Sequence, residues 1–136
     1  RVPAGPRVPV PALVRVAFLV FGLTLSVAVV MLLGRAEVVF PWPLSPGSSV
    51  AYGFLFVASA AFFLDGFLRP SRANAVGQLT GFLVYDLILF APWFAHFARA
   101  KGPFLTSLVI YVAVLAVSAA LAAYYLPRWY WESRRA

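Results

Sequence analysis

Four long apolar stretches fill most of this 136-residue chain and leave only short polar segments between them. They cover residues 12–33, 49–68, 75–97 and 103–126. Each is close to the length of about 20 residues that an α-helix needs to cross a bilayer. Because 63% of the residues are hydrophobic and only 11% are charged, the chain has too little polar surface for a water-exposed globule. The sequence therefore predicts an all-α fold, a four-transmembrane-helix bundle that forms one integral membrane domain over residues 1–136.

Helix-breaking residues mark the ends of these stretches. Gly34 follows the first stretch, and Ser48 or Ser49 is the predicted N-cap of the second. Pro103 is favourable in the first turn of the fourth helix, and Pro127 is expected to end that helix.

The basic residues are distributed unevenly between the two ends of the predicted bundle. Three lie on one side, and eight lie on the side that holds both termini and the loop between the second and third helices. The excess of arginine on cytoplasmic segments of membrane proteins predicts that both termini are cytoplasmic. The net charge of +7 is then explained by basic residues that orient the chain in the membrane and contact anionic lipid headgroups. Nucleic acid is not an expected partner.

Asp86 lies at the centre of the third stretch, where ionisation costs about 2.5–3.5 kcal/mol. Such a carboxyl group either bonds to a neighbouring helix or faces a path for protons or substrates, with Tyr85 and Gln78 as polar neighbours on its own helix. The structural alternative is favoured because no second carboxylate lies deep within the membrane, since Asp65 is near the cytoplasmic end of its span. The candidate hydroxyl partners are Thr24, Ser26, Ser59, Tyr111 and Ser118.

A second group of charges lies near the cytoplasmic end of the second helix. Asp65 precedes Arg69 by four residues, a spacing that brings the two side chains together on a helix. We expect an interfacial ion pair. Arg15, about one turn inside the first helix, either extends to the headgroups or joins Asp65 as a further counter-ion.

His96 is the only histidine, and the chain contains no cysteine. These counts exclude bis-histidine haem ligation and thiolate metal sites within the chain. His96 is retained as a candidate ligand for a cofactor whose other ligand comes from elsewhere, although a polar anchor at the membrane interface is the commoner role. No catalytic or metal site is predicted, and no cofactor is expected within the chain itself.

Aromatic residues at both interfaces are candidates for contacts with lipid or with a partner. Phe40 and Trp42 lie in a proline-rich loop that cannot be helical, and Trp129 and Trp131 follow the fourth stretch. Lipid, quinone or pigment at a partner interface would suit such side chains.

Small residues at helical spacing predict close helix contacts, inside the bundle or with a partner. Gly22 with Ser26 in the first helix and Gly77 with Gly81 in the third are such pairs. In the fourth helix, the small residues are Ala116, Ala120 and Ala123.

The segment from Val38 to Pro46 reads VVFPWPLSP and is followed by a helix with small residues and an Asp-Gly pair near its end. In these features the chain resembles a group of small four-helix membrane proteins from GC-rich bacteria that carry a W-P-L-[ST]-P element after the first span. The resemblance implies only a four-helix fold and transfers no catalytic residue. A bacterial cytoplasmic membrane is the expected location of the chain. The arginine usual soon after the motif is replaced here by Ser48, Ser49 and Val50.

These observations favour a non-catalytic accessory or structural subunit of a larger membrane complex, for which respiratory and photosynthetic assemblies are typical settings. Its partners would be other integral membrane subunits and lipids. Assembly of several copies of this chain into a homo-oligomer is an alternative. The alternative is a small proton-coupled transporter or channel that uses Asp86. It would be similar in size to the small multidrug resistance transporters, but their essential acid lies in the first helix rather than the third.

Overall fold

The computed structural model describes residues 9–36 and 38–135, and within this part the regular structure is entirely helical. Four long helices follow one another along the chain, and one short 3₁₀ turn comes after the third. Their bounds are α1 Ala12–Leu33, α2 Pro46–Leu68, α3 Arg72–Ala95, the 3₁₀ turn His96–Ala98, and α4 Pro103–Arg135. The predicted all-α class and the predicted number of long helices are confirmed.

The sequence predicted Ser48 or Ser49 as the N-cap of α2, and the structure has a different residue in that position. Ser45 is the N-cap, because its side chain accepts a hydrogen bond at 3.2 Å from the backbone N–H of Ser48, and Pro46 occupies the first helical position. Ser49 is buried instead, and its hydroxyl donates a 2.7 Å hydrogen bond to the carbonyl of Leu32 in α1. The serine cluster therefore both caps α2 and attaches its first turn to α1.

Helices α3 and α4 also extend beyond the predicted apolar spans. Ser71 caps α3 by accepting a hydrogen bond from the backbone N–H of Asn74, so the helix begins at Arg72. Pro127 lies within α4, which continues to Arg135. A proline removes one backbone donor and disfavours an intact helix. Here the turns beyond Pro127 are held by a buried Trp129 that packs against α3.

The four helices associate as two closely packed pairs, α1 with α2 and α3 with α4, and the two pairs touch each other less extensively. Glycines allow the first pair to approach closely. A Cβ atom built on Gly22 would lie 2.8 Å from Leu64 Cδ2, and one built on Gly53 would lie 3.0 Å from Leu33 Cδ2. Gly22 therefore makes a helix contact inside the bundle, which is one of the two alternatives that its spacing left open.

Two buried clusters hold the pairs together, one at each end of the bundle. The first lies near the start of α1 and includes Phe18, Phe63, Leu79 and Ala122. The second lies near the α1–α2 loop and includes Leu32, Phe40, Trp93 and Leu108. Most other large apolar side chains face outward, and the most exposed of them include Val30, Leu87 and Ile88.

Candidate functional site

Asp86 lies midway along α3 and is 2% exposed. Its Oδ2 accepts a hydrogen bond of 2.7 Å from the hydroxyl of Ser118 on α4. The same hydroxyl also lies 3.0 Å from the carbonyl oxygen of Leu115. Within the described part of the chain, Asp86 Oδ1 has no hydrogen-bond partner. Ser118 is one of the hydroxyls that the sequence offered as a partner, and its bond joins α3 to α4 at mid-depth.

Gln78 and Tyr85 do not join Asp86 in one polar site. Gln78 is fully buried, and its Nε2 donates a 2.6 Å hydrogen bond to the carbonyl of Phe62 on α2. The approach is so close that a Cβ atom on Gly66 of α2 would collide with the Gln78 amide. Tyr85 lines the cavity described below. The three polar residues therefore serve three different contacts of α3.

The expected ion pair near the end of α2 is present. Arg69 Nε lies 3.2 Å from Asp65 Oδ1, and Asn74 Nδ2 donates a 3.2 Å hydrogen bond to Asp65 Oδ2. Arg15 takes no part in this group among the described side chains, because its guanidinium carbon lies 5.5 Å from the ring centroid of Phe67. Asn74 was not predicted, since nothing in a separation of nine residues indicates that it reaches Asp65.

The proline-rich loop turns into the bundle rather than along its outer surface. Phe40, which we expected to contact lipid or a partner, is 4% exposed. Its ring centroid lies 4.7 Å from that of Tyr52 and 5.5 Å from that of Tyr111. Burial of a large aromatic side chain stabilises more strongly than interfacial exposure, and the absence of helix in this loop leaves it free to fold inward.

His96 lies in the 3₁₀ turn after α3 and is half-buried. Its ring centroid is 5.0 Å from that of Trp42, which is itself half-buried beside Trp93. In residues 9–36 and 38–135, no three His, Asp or Glu side chains are close enough to hold a metal ion. The histidine thus has an aromatic neighbour from the loop, and its role as a cofactor ligand stays a prediction.

The two tryptophans at the end of α4 have different environments. Trp129 is 5% exposed, and the guanidinium carbon of Arg72 lies 5.4 Å from its ring centroid. Arg72 also forms an ion pair of 2.5 Å with Glu132. Trp131 is 59% exposed and remains available for an outside contact. Trp129 therefore fastens α4 to the start of α3, a role that we did not predict for it.

A cavity of about 560 Å³ lies between the two helix pairs, in the half of the bundle nearest the α1–α2 loop. All four helices and the loop contribute to its wall. Phe21, Phe63 and Phe82 pack against one another at one end, with ring centroids 4.3–5.7 Å apart. Phe40 and Trp42 lie at the other end. The volume is typical of small-molecule sites, which span about 300–1,000 Å³.

Over residues 9–36 and 38–135, the wall of this cavity contains no charged side chain. Its polar groups are the indole N–H groups of Trp42 and Trp93 and the hydroxyl groups of Thr24, Tyr52, Ser59, Tyr85, Ser107 and Tyr111. The density of phenylalanine in the sequence indicated apolar contacts, but neither the cavity nor the grouping of three tyrosines was predicted. The residues come from separate helices, so only the packing of those helices brings them together.

All four long helices are long and apolar enough to cross a membrane. In their most apolar segments only 17–28% of the residues are buried inside the bundle, so most of this apolar surface faces outward, as lipid contact requires. Comparison with models of protein families, with curated proteins and with solved structures finds no match.

Proposed function

We propose that this chain is a non-catalytic accessory subunit of a larger complex in a bacterial cytoplasmic membrane, with both termini in the cytoplasm. The observation that carries the proposal is a stripe of exposed small residues on α3 that makes no close helix contact inside the bundle. Gly77 and Gly81 are exposed, and a Cβ atom built on either would meet no other atom within 4 Å. Ala73, one turn before Gly77, is also exposed.

Small residues in membrane helices permit close backbone approach to another helix. Gly22 and Gly66 make such approaches inside the bundle, whereas the stripe of Ala73, Gly77 and Gly81 makes none there. Ala116, Ala120 and Ala123 are likewise exposed on α4, while the buried alanine of that helix is Ala122. Two outward stripes on adjacent helices suit partner helices from another polypeptide.

The buried polar groups support a structural role. Asp86 is bound to Ser118, Gln78 is bound to the backbone of α2, and Asp65 is paired with Arg69. The first two contacts join neighbouring helices, and the third lies at the end of α2. None of these side chains lines the cavity. Proton-coupled transport through Asp86 has less support, because its carboxyl group is buried against α4 and away from the cavity wall.

The test is gentle extraction of the tagged protein from its native membrane, followed by native mass measurement of the assembly. We expect other integral membrane polypeptides in fixed stoichiometry with this chain. An assembly that holds only copies of this chain, or the chain alone, would overturn the accessory role.

Substitution of glycines separates partner contacts from internal ones. Gly77→Leu should leave the isolated bundle stable and lower partner retention by at least about tenfold, equivalent to about 1.4 kcal/mol of association free energy. Gly47→Leu is the matched control, because Gly47 also has open space around it but lies outside the stripe. Retention that is equal for the two variants would remove the stripe from the interface.

The orientation can be tested with single cysteines, since the chain has none of its own. Arg15, Arg69 and Arg72 lie at the same end of the bundle, where Arg15 stacks on Phe67 and Arg72 pairs with Glu132. Ser71→Cys should react only with reagents that cross the membrane, and Lys101→Cys should react with impermeant ones. The opposite labelling pattern would place the termini outside.

A further inference from the structure

We propose that the cavity between the helix pairs binds an uncharged prenyl quinone, with the quinone ring among the aromatic side chains and the apolar tail extending into lipid. This binding site does not depend on the accessory role proposed above, which rests on the stripes of small residues.

The uncharged wall determines the first property of the ligand. Among the residues that the structure describes, none of the side chains that line the cavity is acidic, basic or histidine. A charged group placed there would lose its hydration without gaining a counter-ion, which is costly in an apolar site. The ligand is therefore neutral, which excludes nucleotides, amino acids and phospholipid headgroups from the cavity.

The three tyrosines determine the second property. Tyr52, Tyr85 and Tyr111 come from α2, α3 and α4 and all line the cavity. Their hydroxyl groups form no hydrogen bond with any residue that the structure describes. Tyr124 lies outside the cavity, and its hydroxyl oxygen accepts a hydrogen bond from Arg128. In a lipid environment an O–H donor without a partner is unfavourable, so a ligand with acceptor oxygens is favoured over a hydrocarbon chain.

The aromatic side chains indicate a flat ring. Phe40, Trp42, Trp93 and Tyr111 lie at the loop end of the cavity, with ring centroids 4.4–6.2 Å apart in their mutual contacts. Aromatic faces at such separations accept a planar ring by offset or tilted stacking. A quinone combines this ring with two carbonyl acceptors and no charge, and a carotenoid or an acyl chain lacks the acceptors.

The cavity is also open to the membrane, which gives the tail a path. Its wall includes one exposed side chain from each of the four helices: Val27, Phe62, Tyr85 and Ile110. A ligand that is soluble in lipid can therefore enter laterally and leave its isoprenoid tail in the bilayer.

The binding test uses the purified full chain in lipid nanodiscs with ubiquinone-2 as the probe. Trp42 and Trp93 line the cavity, so ring binding should quench tryptophan fluorescence in a saturable manner. Each of the single variants Tyr52→Phe, Tyr85→Phe and Tyr111→Phe should weaken binding about three- to tenfold, because it removes one hydrogen-bond donor and keeps the ring. Tyr124→Phe is the matched control and should bind as the wild type does.

A second variant blocks the space without altering the hydroxyl groups. Gly81 lines the cavity and has open space at its Cβ position, so Gly81→Phe should fit the backbone and abolish quenching. Gly77→Phe lies one turn away, outside the cavity wall, and should bind normally.

Three results would overturn the proposal: quenching that does not saturate, affinity unchanged in the three tyrosine variants and in Gly81→Phe, or extraction from the native membrane with only carotenoid or phospholipid in stoichiometric amount. Saturable binding by a chain that purifies without other subunits would support the quinone site and refute the accessory role, so the two proposals fail separately.

Discussion

Replacing either member of the Asp86–Ser118 pair should have unequal effects on stability. Ser118→Ala removes the donor that bonds to Asp86 and leaves both carboxyl oxygens without a partner among the described residues, since Oδ1 already has none. A buried polar group without a partner costs about 1–3 kcal/mol, although hydrogen bonds between membrane helices average only about 0.6 kcal/mol. We expect Ser118→Ala to lower the free energy of unfolding by about 1–2 kcal/mol.

Asp86→Ala should cost less. The Ser118 hydroxyl then keeps the carbonyl of Leu115 as an acceptor at 3.0 Å, so no buried donor loses its only partner. The substitution also removes a carboxyl group whose burial is itself unfavourable. We expect a change below about 1 kcal/mol, and the double variant should resemble Asp86→Ala alone.

The assay is reversible unfolding in mixed detergent micelles, followed by circular dichroism, for the wild type, both single variants and the double variant. Asp86→Asn is the matched control, because its amide oxygen still accepts from Ser118 and its stability should stay close to that of the wild type. The reasoning is refuted if Asp86→Ala destabilises at least as much as Ser118→Ala, or if the two single effects add in the double variant.

Two further substitutions test the packing in the same unfolding assay. Phe40→Ala should lower the free energy of unfolding by about 3–5 kcal/mol, because the ring is buried in the bundle. The control is Phe54→Ala, since Phe54 is exposed. Equal losses of stability in the two variants would place Phe40 outside the core. Gly66→Ala should lower the free energy of unfolding by about 1–3 kcal/mol, because its Cβ would displace the Gln78 amide. Gly77→Ala is the control and should cause no loss of stability, because Gly77 has open space around it. A Gly66→Ala variant as stable as the wild type would disprove the close contact between α2 and α3.

Contacts between neighbours in the chain could be predicted locally. The pair of Asp65 and Arg69 follows from one turn of helix, and its partners lie where the spacing indicated. The cap of α2 was harder, because Ser45, Ser48 and Ser49 all lie near its start and the backbone conformation selects Ser45. The continuation of α4 through Pro127 depends on Trp129 packing against α3, which no local pattern contains.

The sequence alone determined four apolar helices of membrane-spanning length, because crossing a bilayer depends on the hydrophobicity summed over consecutive residues. The tertiary structure decided which faces of those helices meet: it turned Phe40 inward, left Gly77 and Gly81 exposed, and chose Ser118 from five hydroxyls as the partner of Asp86. In lipid, apolar faces gain little by facing one another rather than the membrane. Helix pairing therefore depends on close packing and on single hydrogen bonds between residues far apart in the chain. The hydropathy of the sequence does not predict these contacts.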